Sequence, residues 1–159
     1  MADALDQRLR ALEDREQIRD LLARYGPLAD AGDAAAVAAL WTSDGIYAVD
    51  GFAEARGHAA IAALIEGPVH QQLMADGCAH VLSAPAISLD TDRAEALCHS
   101  VVFRQNPDGW GAVRVAANRW QLVRTGAGWR AARRDNALLD GRGAARALFA
   151  VSGAAPPRS

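Results

Sequence analysis

The residues able to move protons are few. Four histidines, His58, His70, His80 and His99, and two cysteines, Cys78 and Cys98, are scattered along a chain of 159 residues. A neutral imidazole can take a proton from carbon or help a hydroxyl leave. A carboxylate on its other ring nitrogen fixes the tautomer and stabilises the imidazolium that forms. The stretch "RYGPLADAGD", residues 24 to 33, offers a carboxylate in an unusual setting. Gly26-Pro27 normally ends a helix, yet the apolar pattern runs on for one turn to Asp30 before Gly32-Asp33 stops it. At about 100° per residue, Asp30 falls roughly 130° from the middle of the apolar stripe, where a solvated residue would sit. A kink at Pro27 would upset that register and leaves open a carboxylate aimed inward.

The elements that must position these groups follow from periodicity. Apolar residues recur at helical spacing from Leu5 through Leu9, Leu12, Ile18, Leu21, Leu22 and Tyr25 to Leu28, which predicts one long or two consecutive amphipathic helices. Asp33 reads as an N-cap for "AAAVAALW". "TSDGIYAVDGF" holds a turn signal and a short strand, and "HAAIAALIEG" a short helix closed by Gly67-Pro68. Four strand patterns then alternate with turns: residues 78–90, 93–105, 112–125 and 129–139. Pro85 marks an edge or bulge in the first of them. A short helix over "AARALFAV" and a frayed tail at 151–159 complete the chain. Helices followed by a meander predict one α+β domain over residues 1–150.

These elements sharpen the candidates. His80 lies in a strand between Ala79 and Val81, where a histidine is commonly buried and satisfied by a backbone group. If "TD" at 91–92 is a two-residue hairpin loop, His80 stands opposite Phe103, and His99 shares its face. A three-residue loop reverses the parity and brings Cys98 and Ser100 there instead. His58, at a helix start, and His70, in the loop-like "GPVHQQLM", read as surface or rim residues. Tyr25 packs on the helix stripe, and Tyr47, on the first strand, is the better pocket candidate. Trp41, Trp120 and Trp129 read as packing residues, and Trp110 as an exposed turn residue. Arg130, Arg133 and Arg134 read as a solvated sheet face.

Composition excludes several classes. The chain is 51% hydrophobic and 23% charged, with a formal charge of -2, which gives no case for nucleic acid or an acidic membrane. No apolar run approaches the roughly 18 residues of a membrane span, and the charged N-terminus carries no signal-peptide core. The sparse cysteines suit a reducing cytoplasm. No two histidines have metal-ligand spacing, so no metal site is expected. Glycine-rich phosphate loops and nucleophile-elbow motifs are missing as well.

The opening "IRDLL…Y…D…GD…ALW…DG.Y" and the close "LVRT..GWR.ARR" resemble the SnoaL-like group of the nuclear transport factor 2-like superfamily, over about Leu12 to Arg134. The resemblance implies a cone: a curved antiparallel sheet wrapped over N-terminal helices around a pocket. It also implies a histidine–aspartate pair of the kind used by its dehydratases and dehydrochlorinases, here Asp30 and His80. Tyr25, Tyr47, His99, Phe103 and Asn118 would then line the substrate pocket. The activity so implied is that of a cofactor-independent lyase or isomerase, dehydratase-like, acting on a small hydrophobic, aromatic or polyketide-like molecule. A non-catalytic binding or interaction domain of the same fold is the alternative. The family also implies a homodimer or homotrimer.

Overall fold

The long apolar period forms a single helix, α1 (Ala2–Asp30), with Pro27 inside it. The computed structural model describes residues 2–50 and 54–150; the tail expected at 151–159 lies outside them. Leu5, Leu9 and Leu12 stay exposed, and burial begins at Asp14 and Ile18. Asp33 caps α2 (Ala34–Ala38) by accepting the Ala36 N–H at 3.0 Å, as its sequence position predicts. Then come β1 (Trp41–Val49), β2 (Glu54–Arg56), α3 (Gly57–Glu66) and α4 (Pro68–Asp76). β3 (Cys78–Leu82), β4 (Ala86–Asp90), β5 (Arg93–Asn106), β6 (Gly109–Thr125) and β7 (Gly128–Leu138) follow, and α5 (Gly143–Ala150) closes the described chain. No described helix is long and apolar enough to cross a membrane.

The strands make one curved, open sheet in the order β2-β1-β7-β6-β5-β3, with β4 also paired to β5. It is mixed rather than wholly antiparallel, because β1 runs parallel to β7. A parallel pair needs a long connection, and nearly the whole meander lies between these two strands. The core fills the space between α1, α3 and the sheet, with Trp41, Trp120 and Trp129 all buried. Trp41 and Trp120 pack with ring centroids 5.4 Å apart. Trp110 is exposed as expected, but it lies on β6, paired with Gln105, rather than in the turn.

Two local features differ from the sequence expectation. The segment read as a loop around His70 is helix α4. Gly67-Pro68 does close α3, but Pro68 also opens α4 at its first turn, where a missing N–H costs nothing. The second feature is strand register. Asp90 does pair with Arg93, yet His80 stands opposite Val102, not Phe103. Between the pairs Leu82–Ser100 and Ala86–Leu97, one side carries Ser83, Ala84 and Pro85, and the other only Cys98 and His99. That one extra residue is a bulge at Pro85, which has no N–H for the ladder.

Helix α1 meets the sheet at two tight points. Near its middle, the Asp14 carboxylate accepts from Arg124 at 2.6 Å and from the Trp129 indole at 3.0 Å. Near its end, Gly26 lies so close to β3 that a Cβ there would overlap the His80 carbonyl oxygen. Glycine in a helix costs about 1 kcal/mol relative to alanine, so alanine would be favoured at position 26 if space allowed. Gly26→Ala is therefore expected to lower stability by about 2–4 kcal/mol, the backbone clash exceeding the propensity gain. Denaturant unfolding measures this, and an unchanged or increased midpoint would refute the close approach.

Candidate active site

The curved sheet and the helices packed on it form a pocket of about 390 Å³ that opens to solvent on one side. Ile61 and Ile65 of α3, Leu73 of α4, and Leu82 and Val102 of the sheet give it apolar walls. Its polar lining is Tyr25, Tyr47, His70, His80, Ser100, Arg114, Arg134 and Asn136. An apolar chamber with a few convergent polar groups is the usual form of a small-molecule site.

Asp30 and His80 meet at this cavity. Asp30 Oδ1 lies 2.6 Å from His80 Nδ1, and the two carboxylate oxygens also accept the His80 main-chain N–H at 3.1 and 3.0 Å. The carboxylate thus holds the ring and its backbone together. Because a carboxylate only accepts, Nδ1 carries the hydrogen and the lone pair of the neutral ring sits on Nε2. Burial pushes the His80 pKa below the ordinary histidine value, against the pull of Asp30, with His70 and Arg134 adding to the lowering. The ring is therefore a neutral base at pH 7.

Cys78 supports the same carboxylate, its thiol donating to Asp30 Oδ1 at 3.6 Å. Burial, then the Asp30 charge, push that thiol up to about 11, so it remains a protonated donor. Asp30, Cys78 and His80 bring three potential metal-ligand atoms together. The 2.6 Å between Nδ1 and Oδ1 suits a hydrogen bond. Two ligands each about 2.0 Å from one tetrahedral ion would stand roughly 3.3 Å apart.

His70 is not a rim residue. Helix α4 buries it, its Nε2 donates to the Ala29 carbonyl at 2.8 Å, and its ring centroid lies 5.2 Å from that of His80. Unseen as a helix in the sequence, α4 gave no hint of this placement. Tyr25 and Tyr47 are buried with their hydroxyls 3.3 Å apart. Tyr25 is thus a cavity residue as well as a packing one. Burial raises the Tyr47 pKa, so its hydroxyl stays protonated.

Arg134 is the largest departure from expectation. It is 1% exposed, not part of a solvated face. The guanidinium carbon sits 4.1 Å from the centre of the Tyr25 ring, 4.6 Å from Tyr47 and 4.4 Å from Trp120, within cation–π range of all three. Its Nε and Nη2 donate to Asn118 Oδ1 at 2.9 and 2.8 Å. A register shift between β6 and β7, with Gln121 opposite Arg133 and Leu122 opposite Ala131, leaves Ala132 unpaired. That shift broke the alternation from which the arginine run could have been sorted, and only the cluster of cations itself was a signal.

The other expected pocket residues divide. Asn118 is fully buried but lies behind Arg134 and does not line the cavity; its Nδ2 donates to Ser100 Oγ at 2.8 Å. His99 and Phe103 do not line it either. The Pro85 bulge turns His99 to the opposite face, where its ring meets Phe149 at 5.0 Å, and turns Cys98 and Ser100 inward. His58 is exposed at the start of α3, as its sequence position predicts, with its Nε2 3.0 Å from the Trp41 carbonyl oxygen.

A curved sheet backed by helices, with a pocket between them, belongs to the nuclear transport factor 2-like, cystatin-like class of folds. The SnoaL-like domain family matches residues 10–135, and the chain belongs to that family. It is similar to a nuclear transport factor 2-like protein with a cystatin-like fold from Novosphingobium aromaticivorans. The two are 63% identical with a TM-score of 0.90, over 91% of this chain and 94% of the other. A second protein of that organism, provisionally described as an aromatic ring hydroxylase, is 26% identical with a TM-score of 0.67, over 80% and 90% of the two chains. A Catenulispora acidiphila protein solved in complex with S-DNPA shares the fold at 22% identity and a TM-score of 0.67, over 80% and 92%. No curated protein matches the chain.

The causes acting on His80 have opposite signs, which makes them separable. Asp30→Asn removes the influence that raises its pKa and should lower the midpoint further. His70→Gln removes a neighbour that lowers it and should raise the midpoint. Because the folded value is depressed, the unfolded chain binds more protons between that value and about 6.5, so this group makes the protein less stable as pH falls through that window. Histidine NMR titration reads both midpoints. Shifts of the same sign in the two variants would contradict this electrostatic account.

Proposed function

We propose that the protein is a cofactor-independent lyase or isomerase of dehydratase type, acting on a small hydrophobic molecule of aromatic or polyketide-like skeleton. The observation that carries this reading is the Asp30–His80 hydrogen bond at a largely apolar cavity. His80 Nε2 takes a proton from a carbon next to a carbonyl, and the electron pair moves toward the carbonyl oxygen. Asp30 holds the tautomer and stabilises the imidazolium. The Tyr47 and Tyr25 hydroxyls are placed to hydrogen-bond that oxygen, and the buried charge of Arg134 favours the enolate as it develops. Return of the proton to another carbon gives isomerisation. Departure of a β-hydroxyl as water, protonated by the same imidazolium, gives elimination.

A screen of enolisable hydroxy-ketones and phenols tests this reading. His80→Gln should lower kcat/KM on any substrate found by about 10³-fold, within the range of general acid–base catalysis, with little change in Tm. Activity retained in that variant would sink the mechanism. Ligands that bind without turning over would support the binding-domain alternative.

A further inference from the structure

Charge is distributed unevenly between this cavity and the rest of the chain. There are 19 acidic residues for 17 basic ones, enough for every arginine to find a carboxylate. Four of the nine arginines on the strands do so: Arg104 pairs with Asp76, Arg119 with Glu95, Arg124 with Asp14 and Asp92, and Arg133 with Glu54 and Asp135. The two arginines that line the cavity do not. Arg134 has only the Asn118 carbonyl oxygen and three ring faces, and its Nη1 is buried with no hydrogen-bond partner. Arg114 donates through Nη2 to two neutral acceptors, the Asp50 main-chain carbonyl at 3.1 Å and Asn136 Oδ1 at 2.7 Å. Its Nε and Nη1 have no protein partner among the described residues. No aspartate or glutamate is among the described residues lining the cavity; Asp30 is committed to His80, and Asp50, which meets Arg114 through its main-chain carbonyl, has its carboxylate on the Leu138 N–H.

A buried cation without a counter-ion is costly, and evolution normally supplies a carboxylate or leaves the place for a ligand. We infer that the cavity takes an organic anion, a carboxylate on a one- or two-ring apolar skeleton, with Arg114 as its direct partner. Nε and Nη1 of Arg114 lie on different sides of the guanidinium, so either gives one charge-assisted hydrogen bond to a carboxylate oxygen while Nη2 stays with Asp50 and Asn136. Arg134, which also lines the cavity against the tyrosine rings, adds its charge to the same space. The apolar walls at Ile61, Ile65 and Leu73 take the ring body, and about 390 Å³ suits a ligand of this size. The inference deepens the proposed function by naming a substrate class for the same cavity. It depends on the cavity as the ligand site, but not on proton transfer by His80.

The test uses matched acid and amide pairs: benzoate and benzamide, trans-cinnamate and cinnamamide, 2-naphthoate and 2-naphthamide. Their affinities are measured by calorimetry at pH 7.5 on the full chain. At least one acid should bind ten-fold or more tightly than its amide. Arg114→Gln should reduce that ratio to near one with Tm unchanged, and Arg114→Lys should keep most of it by retaining the charge. His80→Gln should keep the acid preference. The inference is overturned if no acid is preferred over its amide, or if the preference survives Arg114→Gln. Acids that bind but are never turned over would leave the anion site standing and remove the proton-transfer reading. Turnover of neutral ketones without any acid preference would do the reverse.

Discussion

The structure depends on one close contact, that between the last turns of α1 and the backbone of β3. Gly26 removes the side chain that would hold helix and strand apart, and the carbonyl of His80 occupies the space so freed. One turn later, Asp30 reaches across and accepts both the main-chain and the ring N–H of the same residue. A carboxylate at the C-terminal end of a helix faces the negative end of the helix dipole, so helix formation alone does not favour this placement. The hydrogen bonds from His80 and Cys78 supply the compensation. Helix, strand and acid–base pair are consequently a single arrangement, and a disturbance of one is felt in the others.

A second buried system stands beside the first. Asn118 organises it: its carbonyl oxygen accepts from Arg134 and Asn136, and its amide donates to Ser100. Three residues on β5 and β7 are thereby fixed by one side chain from β6, and the guanidinium is held against the tyrosines. The Arg134 charge lowers the His80 pKa while Asp30 raises it. Burial acts in the same direction as Arg134 and is the largest influence, so the imidazole ends as a neutral base.

Much of this was legible in the sequence where local signals dominate. The α1 period, the Asp33 cap, the short helix α3, the β-hairpin turns and the pairing of Asp90 with Arg93 follow from propensity and turn chemistry. Asp30 and His80 were legible only through family resemblance, since periodicity alone set Asp30 off the core face. What stayed hidden turned on single-residue register. The bulge at Pro85 decides whether His99 or Cys98 faces inward, and the unpaired Ala132 obscures the alternation around Arg134. Bulges depend on pairing partners far along the chain, and a local pattern does not report them. Helix α4 is hidden for another reason: Gly-Pro reads as punctuation, although proline also starts helices. His70 was lost with it.

The double grip of Asp30 on His80 also bears on how such a site changes over evolutionary time. An imidazole fixed at both main chain and ring has little freedom to follow a new ligand, so the ligand must fit the direction in which its Nε2 lone pair already points. The cavity walls on α3 and α4, by contrast, are made of side chains such as Ile61, Ile65 and Leu73 that take no part in the hydrogen-bond network holding the base. Their size can drift by a methylene or two at modest cost. The Asp30–His80 pair and most of the apolar wall thus lie on different elements of the chain, and the shape of the cavity can change through α3 and the Leu73 side of α4 while that pair, and the His70 beside it, stay as they are.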